Sequence, residues 1–469
     1  MVFVSGNFFI LHPGHIRFLK FASECGDHLV VGVKDTHPNV NYPTPEERCE
    51  TLRSLDFVDE VHLIKDGLEV LLRKLRPNVV VKGKEYENSD NVESRIIADW
   101  HGTLIFASGE SSYSASDLLT KHSSSDILWL RPQNYLRRHS LSLDQSRSVV
   151  SAFARLRVVV VGDLIVDEYV SCEALGMSRE DPTVVVSPQK IDRFLGGAGI
   201  VAAHAANLGA DTHFVSLTGN DECAEWSSDR LVSHRVKSIL FSDSSRPTSL
   251  KKRYRVGNKT MLRVSHLRQH EVRFQIASEM RDAIESLLLS ADLLIFADFN
   301  YGCLPQNLVS SLICSAKETK TLIAADSQSS SQIGNIARFQ GVDLITPTEH
   351  EARMAIRDQQ QSLTTLGTNL LSVSKVCRAF ITLGAAGLMV FERQTSQEGF
   401  EPERLPALNP NPVDVAGAGD SLLVASSMAL AAGADTYCAA YLGAVAAAIQ
   451  TSRVGNSPLQ RDEIFKALH

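Results

Sequence analysis

The sequence predicts an α/β protein of two domains, each a mostly parallel sheet with helices on both faces. Three observations lead there. Short apolar runs alternate with helix-length amphipathic stretches from Met1 to about residue 120. The same alternation restarts at Arg157 after a change in composition. A length of 469 residues also exceeds what one core supports, at about 150 residues per domain. Strands separated by helices form βαβ units, and these build parallel sheets.

In the first half, strand runs fall at residues 1–4, 28–33, 58–63, 79–81 and 103–107, with helical stretches at 16–24 and 45–55. From residue 121 to 151 the chain turns to serine and arginine, as in Ser123-Ser124-Ser125, Arg131-Pro132 and Arg137-Arg138. A connection is expected there, giving a first domain over 1–125, a linker over 126–155 and a second domain over 156–469. The linker arginines read as a solvated face, since charge without interleaved aromatics is a weak nucleic-acid signal. The second pattern opens with Val158-Val159-Val160-Val161-Gly162-Asp163, a buried strand ending in a turn. Further strand runs fall at 293–296, 321–325, 344–346 and 380–383, before Ala-rich helical stretches at 421–432 and 436–450. No repeat of solenoid length appears.

Composition narrows the class. With 44% hydrophobic and 22% charged residues the chain is expected to be soluble and globular. A net charge of -7 without a long Lys/Arg run gives no reason to expect nucleic acid or an anionic membrane as partner. No basic leader precedes the first strand and no long uncharged apolar segment follows, so a cytoplasmic protein is expected. The eight cysteines are scattered without a CxxC pair, so they are expected to be reduced thiols.

Two places carry chemistry. After the first strand, Gly6-Asn7-Phe8-Phe9-Ile10-Leu11-His12-Pro13-Gly14-His15 leads straight into a helix. Unpaired amides and the positive helix end favour a polyphosphate there, and Gly14 admits close approach. His12 and His15 can donate to phosphate oxygens as charge builds on them, which stabilises a transition state without a covalent nucleophile. The same two histidines also suit plain loop and cap roles. Ser112 and Ser114, at a late helix start, could hold phosphate or simply cap the helix. The stretch resembles the signature of the nucleotidyltransferase superfamily that includes cytidylyltransferases. Pro45-Glu46-Glu47-Arg48, Val58-Asp59-Glu60-Val61, the run from Arg76 to Gly83 and the serines from Ser111 to Ser116 continue the resemblance. It implies a Rossmann-like fold over residues 1–125, with nucleotide contacts at Gly6, Phe8, Gly14, Lys34, Ser112 and Ser114. Phe9 stands where that family has Asp, and Lys34 or Lys84 could replace a missing lysine-glycine stretch.

The second place is Asp414-Val415-Ala416-Gly417-Ala418-Gly419-Asp420, again opening a helix. Small residues let an anion approach the amides of Gly417, Ala418 and Gly419, while Asp420 can take a proton from an attacking hydroxyl. The motif resembles the signature of the ribokinase-like (PfkB) sugar kinases, and residues 157–456 continue it. The resemblance implies sugar contacts at Asp163, Asp167, Gly196, Gly197 and Asp298, and a nucleotide-side turn at Gly384, while Asp163 and Asp167 also suit plain strand-end or capping roles. Arg246-Pro247-Thr248 with Lys251, Arg253 and Arg263 resembles a heptose-phosphate kinase segment, whose cations would face a sugar phosphate. That segment is expected to form a strand pair over the sugar. Glu351 matches a magnesium-organising acid, although Thr348 and Glu351 also form a capping box. Thr348 stands where the family has Asn, and Ile200 where it has the Asn that follows GGAx.

Together the halves resemble the bifunctional ADP-heptose synthases with the two domains in reverse order. That resemblance implies ATP as a substrate, Mg²⁺ at both sites and a monovalent cation as cofactors, with a sugar phosphate and a nucleoside triphosphate as small-molecule partners. A homo-oligomer is compatible with it. Another sugar, CTP in place of ATP, or a regulatory protein with a degenerate kinase half stay open as alternatives.

Overall fold

A computed structural model describes residues 1–8, 13–35, 43–83, 91–107, 132–178, 180–181, 183–257, 259–328, 334–393 and 402–468. The first domain is a five-stranded parallel sheet, β1 (Val2–Gly6), β2 (Leu29–Lys34), β3 (Glu60–Ile64), β4 (Val79–Gly83) and β5 (Thr103–Ala107), in the order β3-β2-β1-β4-β5. Val2, Phe3 and Val4 are wholly buried because helices cover both faces, which is why β1 reads as an unbroken apolar run. The helix Pro45–Arg53 starts where Thr44 and Glu47 complete a capping box, satisfying amides at its N-terminus.

The second domain centres on a nine-stranded sheet whose middle strands, Arg157–Gly162, Leu293–Asp298 and Leu322–Ser327, run parallel. Leu388–Glu392 and Glu403–Leu405 close one edge antiparallel. A separate four-stranded sheet comprises Leu164–Met177, Val184–Gly197, Ser249–Val256 and Lys259–His266. Leu164–Met177 is buried over its first seven residues and exposed over its last five, so one strand leaves the core and becomes part of this projecting sheet. The expected strand pair is there: Ser249–Val256 and Lys259–His266 lie antiparallel, with Arg253 opposite Arg263.

Much of the stretch read as a linker is not an extended connection. Gln133–Arg138 and Leu143–Ala152 are helices, and Tyr135, Leu141, Val150 and Phe153 join the main core of the second domain. Their apolar residues are few and widely spaced among serines and arginines, so the helical period is faint in the sequence.

Candidate active sites

In the first domain the sheet order changes direction between β1 and β4, and the crevice beyond their C-terminal ends is where open α/β sheets bind ligands. Gly6 ends β1 at that crevice, and the helix Pro13–Glu24, which contains Gly14 and His15, begins beside it. No acidic residue occupies its first turn to oppose an anion. Phe8 takes a left-handed backbone (φ 48°) and packs its buried ring edge-on against His15, centroids 5.4 Å apart. Phe8 therefore backs the histidine with its ring. Arg48, only 2% exposed, donates to the carbonyls of Asn7 and Lys34, tying the ends of β1 and β2 together. Lys34 itself is exposed at the end of β2, while Lys82 at the end of β4 is neutralised by Glu93 at 2.8 Å. His12, Lys84, Ser112 and Ser114 lie outside the described residues.

In the second domain a cavity of about 510 Å³ opens between the nine-stranded sheet and the projecting one. Of the residues singled out in the sequence, Asp167, Gly197, Lys251, Arg253, Arg263, Glu351, Gly417, Gly419 and Asp420 line it. Asp420 stands in the first turn of the buried helix Ala418–Ala431 and accepts a hydrogen bond from Gln328 Nε2 at 3.1 Å. Burial, reinforced by Asp167 and Glu351 and opposed by Lys251, pushes its pKa up to about 7. A carboxyl poised there suits a general base at neutral pH.

Asp167 is held from two sides, by Arg253 Nη2 at 3.3 Å and Asn456 Nδ2 at 3.3 Å. A Cβ on Gly196 would fall 2.3 Å from its carboxylate, so glycine is required behind it. Lys251 Nζ lies 5.3 and 5.1 Å from the ring centroids of Phe299 and Tyr301, and Arg253 and Arg255 both lie over Tyr169. The aromatic floor keeps these cations partly desolvated, which strengthens their pull on an anion.

Several expected contacts are elsewhere. Asp163 is spent on the backbone amides of Phe299, Tyr301 and Cys303, at 2.9, 3.3 and 3.1 Å, and does not line the cavity. Burial, with Asp298 nearby, still raises its pKa to about 6. Asp298 is likewise occupied, by Arg338, Ser327 and the amide of Asn300. These two acids shape the loop that brings Phe299 to the cavity. Arg246 is buried against Asp243 and donates to the carbonyls of Tyr301 and His270. Gly196, Gly384 and Ala418 also stay off the lining, and the Ala418 amide bonds to Val415 O at 3.4 Å.

Sequence reasoning passed over Asp326, Arg255 and Asn456, all of which line the cavity. Asp326 ends a strand beside Glu351 and Asp420, and burial followed by those two charges raises its pKa. Its signal was available, as a carboxylate at the C-terminal end of a central strand. The donor set fits a hard cation: Glu351 and Asp326 supply oxygens, and Mg²⁺ commonly takes one or two carboxylates and fills its sphere with substrate phosphate and water. Glu351 also completes the capping box with Thr348, its Oε2 accepting from the Thr348 amide and hydroxyl at 2.8 Å.

Residues 155–462 match the family profile of pfkB family carbohydrate kinases, and residues 3–127 match a cytidylyltransferase-like profile. Among curated proteins, "Bifunctional protein HldE" of Helicobacter hepaticus is 31% identical over 320 residues, covering 67% of this chain and 64% of the relative. The protein of the same name from Rhodopseudomonas palustris is 31% identical over 327 residues, 68% of this chain and 65% of that one. The matched region thus spans just under two thirds of those relatives. In fold, the chain is similar to ribokinase of Arabidopsis thaliana, with TM-score 0.52 and 18% identity over 67% of this chain and 98% of that one. Phosphofructokinase-2 of Escherichia coli gives TM-score 0.54 and 14% identity, with coverage of 67% and 98%.

Proposed function

Since the chain belongs to the pfkB family of carbohydrate kinases and carries a cytidylyltransferase-like domain ahead of it, we propose that it makes a nucleotide sugar in two steps. In the first, the second domain phosphorylates the anomeric hydroxyl of a heptose 7-phosphate. Asp420 takes the hydroxyl proton, the oxygen attacks the γ-phosphorus of ATP, and ADP leaves. Backbone amides about Gly417 and Gly419 face the transferring phosphoryl group. Glu351 and Asp326 would hold Mg²⁺, which supplies screening of the polyphosphate charge. Asp167 orients the sugar.

In the second step, the first domain holds ATP at the head of the helix Pro13–Glu24. The sugar 1-phosphate attacks the α-phosphorus and pyrophosphate departs, with His12 and His15 donating to the phosphate oxygens. Gly6 and Phe8 shape the crevice, and Lys34, Ser112 and Ser114 are the further phosphate contacts of this reading.

The observation that carries the sugar-phosphate assignment is the convergence of Lys251, Arg253, Arg255 and Arg263 on the same cavity as Asp420. A neutral sugar needs no cation beyond Arg253, which holds Asp167. Supplying heptose 7-phosphate with ATP or CTP and identifying the products by mass tests both steps. Lys251→Met is expected to weaken use of the 7-phosphate by about 10- to 150-fold, the range for one charge-assisted hydrogen bond, and to weaken use of an unphosphorylated sugar far less, through the higher Asp420 pKa alone. A wild-type preference for the unphosphorylated sugar would refute the assignment.

A further inference from the structure

Ile200 offers the cavity no polar atom, since it is fully buried in the core on the helix Ala198–Asn207. A carboxamide reaches the cavity wall from another part of the chain. Asn456, between the helices Thr436–Thr451 and Arg461–Ala467, lines the cavity and is 7% exposed. Its Nδ2 donates to Asp167 Oδ2 at 3.3 Å. An ionised carboxylate only accepts, so this bond decides which end of the amide faces Asp167 and turns Oδ1 the other way. Oδ1 is buried and has no hydrogen-bond partner among the described residues. A buried amide oxygen left in that state is costly unless a ligand brings the donor.

Glycine marks where that oxygen points. A Cβ on Gly417 would fall 2.4 Å from Asn456 Oδ1, so the amide oxygen abuts the loop that heads the Asp420 helix. Asp167, Gly417 and Asn456 all line the cavity, which sets the carboxylate and the amide oxygen side by side as one charged and one neutral acceptor near the base.

We propose that Asn456 is a specificity-determining residue for the sugar, reading a pair of neighbouring hydroxyls together with Asp167. One hydroxyl donates to the carboxylate and its neighbour donates to Asn456 Oδ1, while Nδ2 keeps Asp167 in place. This assignment rests on the sugar-kinase reading of the cavity.

Steady-state kinetics with heptose 7-phosphate and its monodeoxy analogues tests it in the full chain. Asn456→Leu is expected to raise the KM for the sugar by about 10- to 100-fold and to leave the KM for ATP within about twofold, as for loss of one or two buried hydrogen bonds. One deoxy analogue, disfavoured by the wild type, should be used by the variant as well as the parent sugar. The calorimetric unfolding transition of the second domain reports that it is folded, and Asn456→Ala serves if the leucine variant fails that control. An unchanged sugar KM, an equal rise in the KM for ATP, or undiminished discrimination among all the analogues would overturn the role of Asn456 and spare the kinase reading. A wild-type chain that phosphorylates no sugar would overturn both.

Discussion

Asp420 shows how much a single side chain depends on its surroundings. Its carboxyl is 5% exposed and faces Asp167 and Glu351 across the cavity, so burial and like charge hold its proton until about pH 7. As the proposed base, Asp420 works only when deprotonated. Kinase turnover is therefore expected to rise about tenfold per pH unit below 7 and to level off above it. A pH–rate profile checks this, and a flat profile between pH 5.5 and 8, a range set around that value, would remove Asp420 from the proton-transfer step. Asp420→Asn is expected to abolish sugar phosphorylation and to spare nucleotidyl transfer from a supplied sugar 1-phosphate. Equal loss of both activities would contradict two separate sites. On the other side of the chain, His15→Ala is expected to lower nucleotidyl transfer by about 100-fold or more, the scale for removing one preorganised donor, with kinase activity unchanged.

At the scale of elements, the helices Gln133–Arg138 and Leu143–Ala152 belong physically to the second domain. Ser142 caps the second of them, Tyr135 Oη donates to Tyr437 O at 2.9 Å, and His139 stacks on Tyr437 with centroids 3.6 Å apart. Phe153 follows them, fully buried. Phe153→Ala leaves a cavity that the packed sheet and helices refill only in part, so it is expected to lower the stability of the second domain by about 3–5 kcal/mol. Chemical denaturation followed through kinase activity measures this; a loss under about 1 kcal/mol would mean the segment is peripheral after all. The projecting sheet teaches the complementary lesson. Ser249–Val256 is partly buried along its whole length, with Lys251, Arg253 and Arg255 lining the cavity and Leu250, Lys252, Tyr254 and Val256 at the alternate positions.

At the scale of the whole molecule, the two domains meet where the helix Pro13–Glu24 ends. The Arg404 guanidinium lies 4.0 Å from the centroid of the Phe21 ring, Thr364 Oγ1 donates to Cys25 O at 3.4 Å, and burial beside Glu349 raises the Glu24 pKa. A largely desolvated cation over a ring is worth about 2 kcal/mol. Arg404→Met is accordingly expected to keep both activities and to let the first domain unfold at lower temperature than in the wild type, which calorimetry would resolve. An unchanged transition would mean that the contact carries no net energy.

Local rules determined much of this protein from the sequence alone. Apolar runs separated by amphipathic stretches specified parallel sheets, and glycines at helix starts picked out two candidate anion sites, because strand burial and helix-end polarity depend on neighbours in the chain. Asp420 could be named from the glycines beside it, and Asp167, Lys251, Arg253 and Glu351 from the resemblance to sugar kinases; all five line one cavity. What no local pattern decides is which carboxylate has its bonding capacity already used. Asp163 and Asp167 lie four residues apart, the first between the strands Arg157–Gly162 and Leu164–Met177 and the second on the latter, yet one is consumed by the amides of Phe299, Tyr301 and Cys303 and the other faces the cavity, bound by Arg253 and Asn456. Asn456 lies 289 residues from Asp167 along the chain. Their pairing, and the amide oxygen it leaves open, came into being only when the C-terminal loop packed against the first strand of the projecting sheet.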